Sequence, residues 1–220
     1  MTVPSIVSED ALSEQKHAPV IPGVLDEIEK RWSPRAFADT PVSDEDLRKV
    51  LDAARWAMSS YNEQPWRYVI ATKDDPEMYD RVAECLNEFN REWATTAPVL
   101  MLAFAKTSFS ANGTANRHAR HDVGAASAFL TLQAAKLDLY VHQMAGILPD
   151  VIEETFDLPE DVEPVTALAL GKLGDPSILP EKLEKREHAE RSRKPLTEIV
   201  FDPGTFGTPA PAVRDDATDR

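Results

Sequence analysis

Apolar residues recur at helical spacing in some stretches of the 220-residue chain and run unbroken in others. Ser43 precedes Leu47, Val50, Leu51, Ala54 and Met58, which fall on one face of a capped helix. Pro76, whose fixed φ suits a first helical turn, opens a second stripe of Met78, Val82, Leu86, Phe89 and Trp93. The Ala-rich stretch 118–137 predicts a long helix, with Gly124 at a close approach. Shorter helices are expected at 24–30 and 149–156, and another within 182–193. Pro34 disfavours helix at Ser33, so 31–35 should be the turn that leaves the first of these. Strands are expected at 66–72, 98–106, 139–142 and 164–172, with 98–106 apolar enough to be covered on both faces. Loops fall at 107–117, around Asn112-Gly113, and at 144–148. Helices and strands alternate without a repeat, which predicts an α+β fold in one layered domain over 23–200. Residues 1–22 read as a flexible arm, and 201–220 as a tail either disordered or wrapped on a partner subunit.

Composition narrows the classes. With 42% hydrophobic residues the chain can bury a real core, so wholesale disorder is excluded. Lys+Arg number 24 against 38 Asp+Glu, a net charge of −14 with no basic block, which argues against a nucleic-acid partner. Cys85 is the only cysteine, so neither an intrachain disulfide nor a cysteine zinc site is available. The longest apolar run, 97–105, falls far short of the roughly 20 residues a membrane helix needs. The first residues lack the charged-then-apolar pattern of a secretory signal, so a cytoplasmic protein without membrane partners is expected.

Several common chemistries have no motif here. No G-x-G-x-x-G follows a strand, no P-loop spacing surrounds Gly171 and Gly174, and no G-x-S-x-G frames Ser59-Ser60. His118, His121 and Asp122 could share a helix face as metal ligands, but a solvated helix start is the simpler reading, and no metal is expected. Cys85 lies within an apolar stripe and reads as a small core residue.

Three segments carry candidate chemistry. Arg31-Trp32-Ser33-Pro34-Arg35 places two guanidinium groups around a hydroxyl in a tight turn, suited to a phosphate or another electron-rich group, or simply a surface arginine pair. Ser59-Ser60-Tyr61-Asn62-Glu63-Gln64-Pro65-Trp66 gathers hydroxyls and amides at a helix-to-strand junction, where they could read a heterocycle edge or merely build a turn. Arg191-Ser192-Arg193 is a basic cluster late in an acidic chain. In this order and spacing the three segments resemble the nitroreductase family of flavoproteins, over about 24–200, with Asn62-Glu63-Gln64-Pro65-Trp66 the most specific part. His142-Gln143-Met144-Ala145-Gly146 is similar to the family's flavin-edge loop.

The resemblance implies a fold, a cofactor and an activity. The expected core is a mixed four- to five-stranded sheet flanked by helices, in an intertwined homodimer with FMN at the interface. It implies that Arg31 and Ser33 hold the FMN phosphate side, Arg35 the N1/O2 edge and Asn62 the pyrimidine ring. Ala145 and Gly146 would offer backbone N–H groups near N5 and O4, and Arg191 and Arg193 would add phosphate contacts. Trp32, Ser59, Ser60, Gln64 and Met144 lie in the same motifs and are carried over as cofactor-binding positions. A cation at N1/O2 favours the anionic reduced ring, and no catalytic side chain is expected because the cofactor carries the chemistry. NAD(P)H is the implied donor, and a nitroaromatic, quinone or similar small molecule the acceptor, in a two-electron ping-pong cycle. The alternatives within reach are a flavin-binding or flavin-storing protein, or a specialised member such as a reductive dehalogenase or a flavin-fragmenting or dehydrogenating enzyme. One departure bears on substrate choice: where many members carry an acidic residue before the loop glycine, this chain has Met144-Ala145-Gly146.

Overall fold

The computed structural model describes residues 9–213, which divide into two compact units between Ala189 and Glu190. In the first unit the elements run α1 (Glu9–Gln15), α2 (Asp26–Lys30), α3 (Asp44–Arg55), β1 (Trp66–Thr72), α4 (Pro76–Glu84), α5 (Glu88–Ala94), β2 (Val99–Lys106), α6 (Ala119–Lys136), β3 (Tyr140–Met144), α7 (Pro149–Phe156), β4 (Val162–Gly171) and α8 (Glu181–Glu187). The four strands form one sheet in the order β1-β2-β4-β3. All three pairings within the chain are antiparallel, and the α+β class and the four strands are as expected.

The sheet is covered on both sides, and strand period assigns the faces. Leu100, Leu102 and Phe104 of β2 point into a core with Tyr79, Val82, Leu86, Trp93 and Ile152 from α4, α5, α7 and the link between α4 and α5. Val99, Met101, Ala103 and Ala105 point the other way, against Val50 and Ala54 of α3 and Val123, Ala126, Leu130 and Ala134 of α6. That double burial explains why β2 reads as an unbroken apolar run even though its neighbours are antiparallel. Ser43 caps α3 as expected, its hydroxyl accepting the Asp46 N–H at 3.1 Å. Met58 lies beyond the end of α3 and is exposed, so the expected apolar face stops at Ala54.

The stripe from Met78 to Trp93 is not one helix. α4 closes at Glu84, Leu86 forms an isolated bridge with Ile147, and Asn87 caps α5 by accepting the Asn90 N–H at 2.9 Å. Val82, Leu86 and Trp93 are still buried, because two short helices present them to the same core, while Phe89 faces out. The helix expected within 182–193 is confined to α8. Within 1–22, α1 buries Leu12 against Trp32 and Leu173. The second unit holds a turn at Leu196–Glu198 and a hairpin of β5 (Phe201–Asp202) and β6 (Thr205–Pro209), closed by the Phe201 and Phe206 rings 4.6 Å apart.

Candidate functional site

The break between α4 and α5 builds one wall of the site. Because the chain leaves helix at Cys85, the Cys85 carbonyl is free to accept the Leu148 N–H at 2.8 Å. Gly146 O then accepts from the Asn87 N–H at 3.0 Å and from Asn90 Nδ2 at 3.1 Å. A Cβ on Gly146 would fall inside contact distance of both asparagine amides, so glycine is required here by close approach. The 144–146 turn is thereby fixed to α5, with Met144 buried in the core and Ala145 exposed.

Trp93 on the same helix carries the next layer. The His142 ring lies 4.4 Å from the Trp93 ring, and its Nδ1 donates to the Pro34 carbonyl at 2.8 Å. A carbonyl can only accept, so the neutral ring keeps its proton on Nδ1. Burial, aided by the nearby Arg35 and Arg31 charges and opposed by the bonds to Pro34 and Ser33, holds the His142 pKa down to about 4. Through His142 the 31–35 turn is tied to β3. Gly174 N donates to Ala36 O at 3.0 Å and Ala38 N to Lys172 O at 3.0 Å, which pin the same turn's exit.

Arg35 is the most constrained of the predicted residues. Its backbone N–H donates to Glu187 Oε2 at 3.0 Å and its NH1 to Oε1 at 3.3 Å, and its guanidinium lies 5.8 Å from the Trp93 ring. Glu187 is 0% exposed; burial pushes its pKa up, against the pull of the Arg35 bonds and charge. Arg35 Nε, Trp93 Nε1 and Trp32 Nε1 are buried and have no hydrogen-bond partner among the described residues. The Arg35 side chain is nonetheless 22% exposed, and a cation with a planar fork of donors open to solvent suits an acceptor-rich ligand. Arg31 NH2 reaches Ser33 Oγ at 3.3 Å, and Trp32 packs edge-on against Tyr140 at 6.3 Å.

Ser59, Ser60, Asn62 and Gln64 are held by other anchors. Ser60 N donates to the buried Asp122 carboxylate at 3.0 Å, and Gln64 N donates to Ser59 Oγ at 3.0 Å. Glu63, 3.6 Å from Lys106, accepts from Ser110 N–H and Oγ at 2.9 and 2.6 Å; those bonds hold its pKa low. Tyr61, Asn62 and Gln64 have φ of 52, 56 and 52°, left-handed conformations that non-glycine residues adopt only when their surroundings impose them. Asp122 also meets His121 Nδ1 at 3.2 Å, which commits that carboxylate to the turn. Arg191 and Arg193 belong to the second unit, with Arg193 NH1 on the Ser192 carbonyl at 2.7 Å.

Several residues of the cluster escaped the sequence. Asn87 carries an N-cap signal three residues before Asn90, which could have flagged the helix break. Glu187 and Lys16 lie among charged residues and give no signal of burial.

Comparison with known proteins agrees with the geometry. A model described as the Nitroreductase family matches residues 28–93. A solved structure titled an oxidoreductase containing FMN is 36% identical, covering 87% of this chain and 96% of that one, with a TM-score of 0.78. A nitroreductase family protein from Clostridium difficile 630 is 30% identical over 80% of this chain and 95% of its own, with a TM-score of 0.62. The major NAD(P)H-flavin oxidoreductase of Aliivibrio fischeri is 28% identical over 40% of this chain and 41% of its length. The chain spans 62% or less of the length of the first curated relatives it matches. Because it aligns at 30% identity with 95% of a nitroreductase family protein of the same fold, the chain belongs to the nitroreductase family.

Proposed function

We propose that this protein is an FMN-dependent NAD(P)H oxidoreductase that passes two electrons to a small acceptor by a ping-pong cycle. The observation that carries the reading is Arg35: a partly exposed guanidinium oriented by a fully buried carboxylate and packed 5.8 Å from the Trp93 ring. FMN, when bound, would supply the two-electron chemistry, which is why no nucleophile or acid–base pair is needed in the protein. Arg35 would hold the N1/O2 edge, and Arg31 and Ser33 the phosphate side. Local cations are needed because a phosphate of about −2 approaches a chain whose net charge is −14. The Ala145 and Gly146 backbone would face the reactive side of the ring, on the shelf made by Asn87 and Asn90. The neutral His142 ring holds the 31–35 turn in register without adding a second cation beside Arg35.

The 59–64 segment supports a homodimer. Its anchors, Asp122, Lys106 and Ser110, are not those of the Arg35 cluster, and its neighbours Trp56, Met58 and Tyr61 are 69, 65 and 93% exposed. Exposed apolar side chains grouped around a strained polar turn suit an interface better than open solvent. A second copy would cover them and bring Ser59, Ser60, Asn62 and Gln64 to the cofactor of its partner.

The test is the visible spectrum of the purified protein before and after NADH or NADPH is added without oxygen. A flavin spectrum that bleaches with either donor and returns with a quinone or nitroaromatic supports the proposal. A protein that neither carries nor takes up FMN overturns it.

A further inference from the structure

We infer that Glu187 is a positioning residue for the cofactor edge: it fixes the Arg35 guanidinium and, with Lys16 as its second cation, sets the charge that edge presents. The inference rests on the reading of Arg35 as the N1/O2 contact.

Glu187 spends one carboxylate oxygen on the Arg35 backbone and the other on its side chain, across 152 residues of sequence. With its backbone N–H and NH1 both on Glu187 and its guanidinium 5.8 Å from the Trp93 ring, the Arg35 side chain takes its direction from the carboxylate while part of it stays exposed. A fully buried carboxylate must be neutralised locally. Arg35 supplies one charge. Lys16 supplies another: it is 2% exposed, donates to the Ala189 carbonyl, lies 4.8 Å from the Trp32 ring centroid and pulls on the Glu187 pKa. Lys16, Glu187 and Arg35 thus alternate in sign from the turn after α1 through α8 to the cluster. An apolar trio of equal volume would hold the same fold at least as well. Charges kept in that order, ending on a partly exposed arginine, point to electrostatic control of what the arginine binds.

The experiment is a potentiometric titration of the FMN-loaded protein, with oxidised and reduced FMN affinities measured in parallel. Glu187→Gln keeps the size and removes one negative charge near the ring. Reduced FMN should then bind about tenfold more tightly relative to oxidised FMN, about 30 mV upward for a two-electron couple. Lys16→Met removes a positive charge from the far side and should move the same ratio about threefold the other way. Glu187→Asp retains the charge but shortens the reach, so FMN should bind more weakly overall with the ratio nearly unchanged. A purely structural role would lower the melting temperature and the FMN content of all three while leaving the ratio in the bound fraction where it was. That result overturns the inference. Should Glu187→Gln not fold, the sign of the Lys16→Met shift decides alone. Wild-type protein that takes no FMN overturns this inference together with the proposed function; FMN-loaded wild type with unmoved variants overturns this inference only.

Discussion

Replacing Gly146 by alanine adds a single methyl group at the point where the 144–146 turn meets α5. The new Cβ would lie 2.9 Å from Asn87 Cγ and closer still to the two asparagine amide nitrogens. Neither side chain can yield without loss. Asn87 caps α5 through the Asn90 N–H, and losing such a cap costs about 1 kcal/mol. Asn90 is buried and donates to Gly146 O; leaving its amide unpaired costs a further 1–3 kcal/mol or so. Removing a glycine from the unfolded chain returns about 0.4–1 kcal/mol. The net is about 2 kcal/mol, or roughly 4–8 °C in melting temperature for a unit of this size. Thermal unfolding of the cofactor-free protein measures it directly. FMN affinity, measured by fluorescence quenching, should fall at least tenfold if the 144–146 turn faces the ring as proposed. A variant melting within a degree of wild type would mean that the asparagines swing aside freely, and the claim that close approach fixes this turn would be wrong.

Other perturbations have distinct signatures. Because the His142 pKa is depressed to about 4 in the folded protein from an ordinary 6.5, the unfolded chain binds the extra proton first. Stability should therefore be full above pH 6.5 and fall as pH drops towards 4, by about 3 kcal/mol from this group, and denaturant titrations of His142→Asn should lose that slope. Gly174→Ala drives a Cβ onto the Phe37 backbone, 2.5 Å from its carbonyl oxygen and 2.8 Å from Ala38 N. Backbone cannot step aside as a side chain can, so a loss of about 3 kcal/mol or insoluble expression is expected. Ser43→Ala should cost about 1 kcal/mol in urea unfolding through the α3 cap, and FMN affinity should stay as in wild type.

The sequence made most of the elements legible because most of them follow local rules. Pro76 and Pro149 open α4 and α7 as read, Ser43 caps α3, and the β2 run is buried on both faces. The stripe through Met78 and Trp93 misled because helical periodicity survives a short break when both halves face one core. The break is held by contacts distant in sequence, the Leu86–Ile147 bridge and the bonds of Asn87 to Gly146 and Leu148 to Cys85, and its one local sign is the Asn87 cap. The α+β class was readable, but the antiparallel pairing throughout the sheet depends on connections that no local pattern specifies. At the site, arginine, serine and amide residue types announced themselves in motifs. Glu187 and Lys16 did not, because a buried charge looks the same in sequence as a solvated one until its partner is placed. The handed turn at Tyr61, Asn62 and Gln64 was equally silent: none is a glycine, and their left-handed backbone follows from tertiary anchors.

The 152-residue separation between Arg35 and Glu187 also has a consequence for biosynthesis. At about 5–20 residues per second, the ribosome makes Arg35 roughly 8–30 s before Glu187 exists. During that interval the arginine turn can be made and α3 can form, but the guanidinium has no carboxylate to orient it. Any ligand that depends on the oriented guanidinium can therefore be held only after Glu187 has been made.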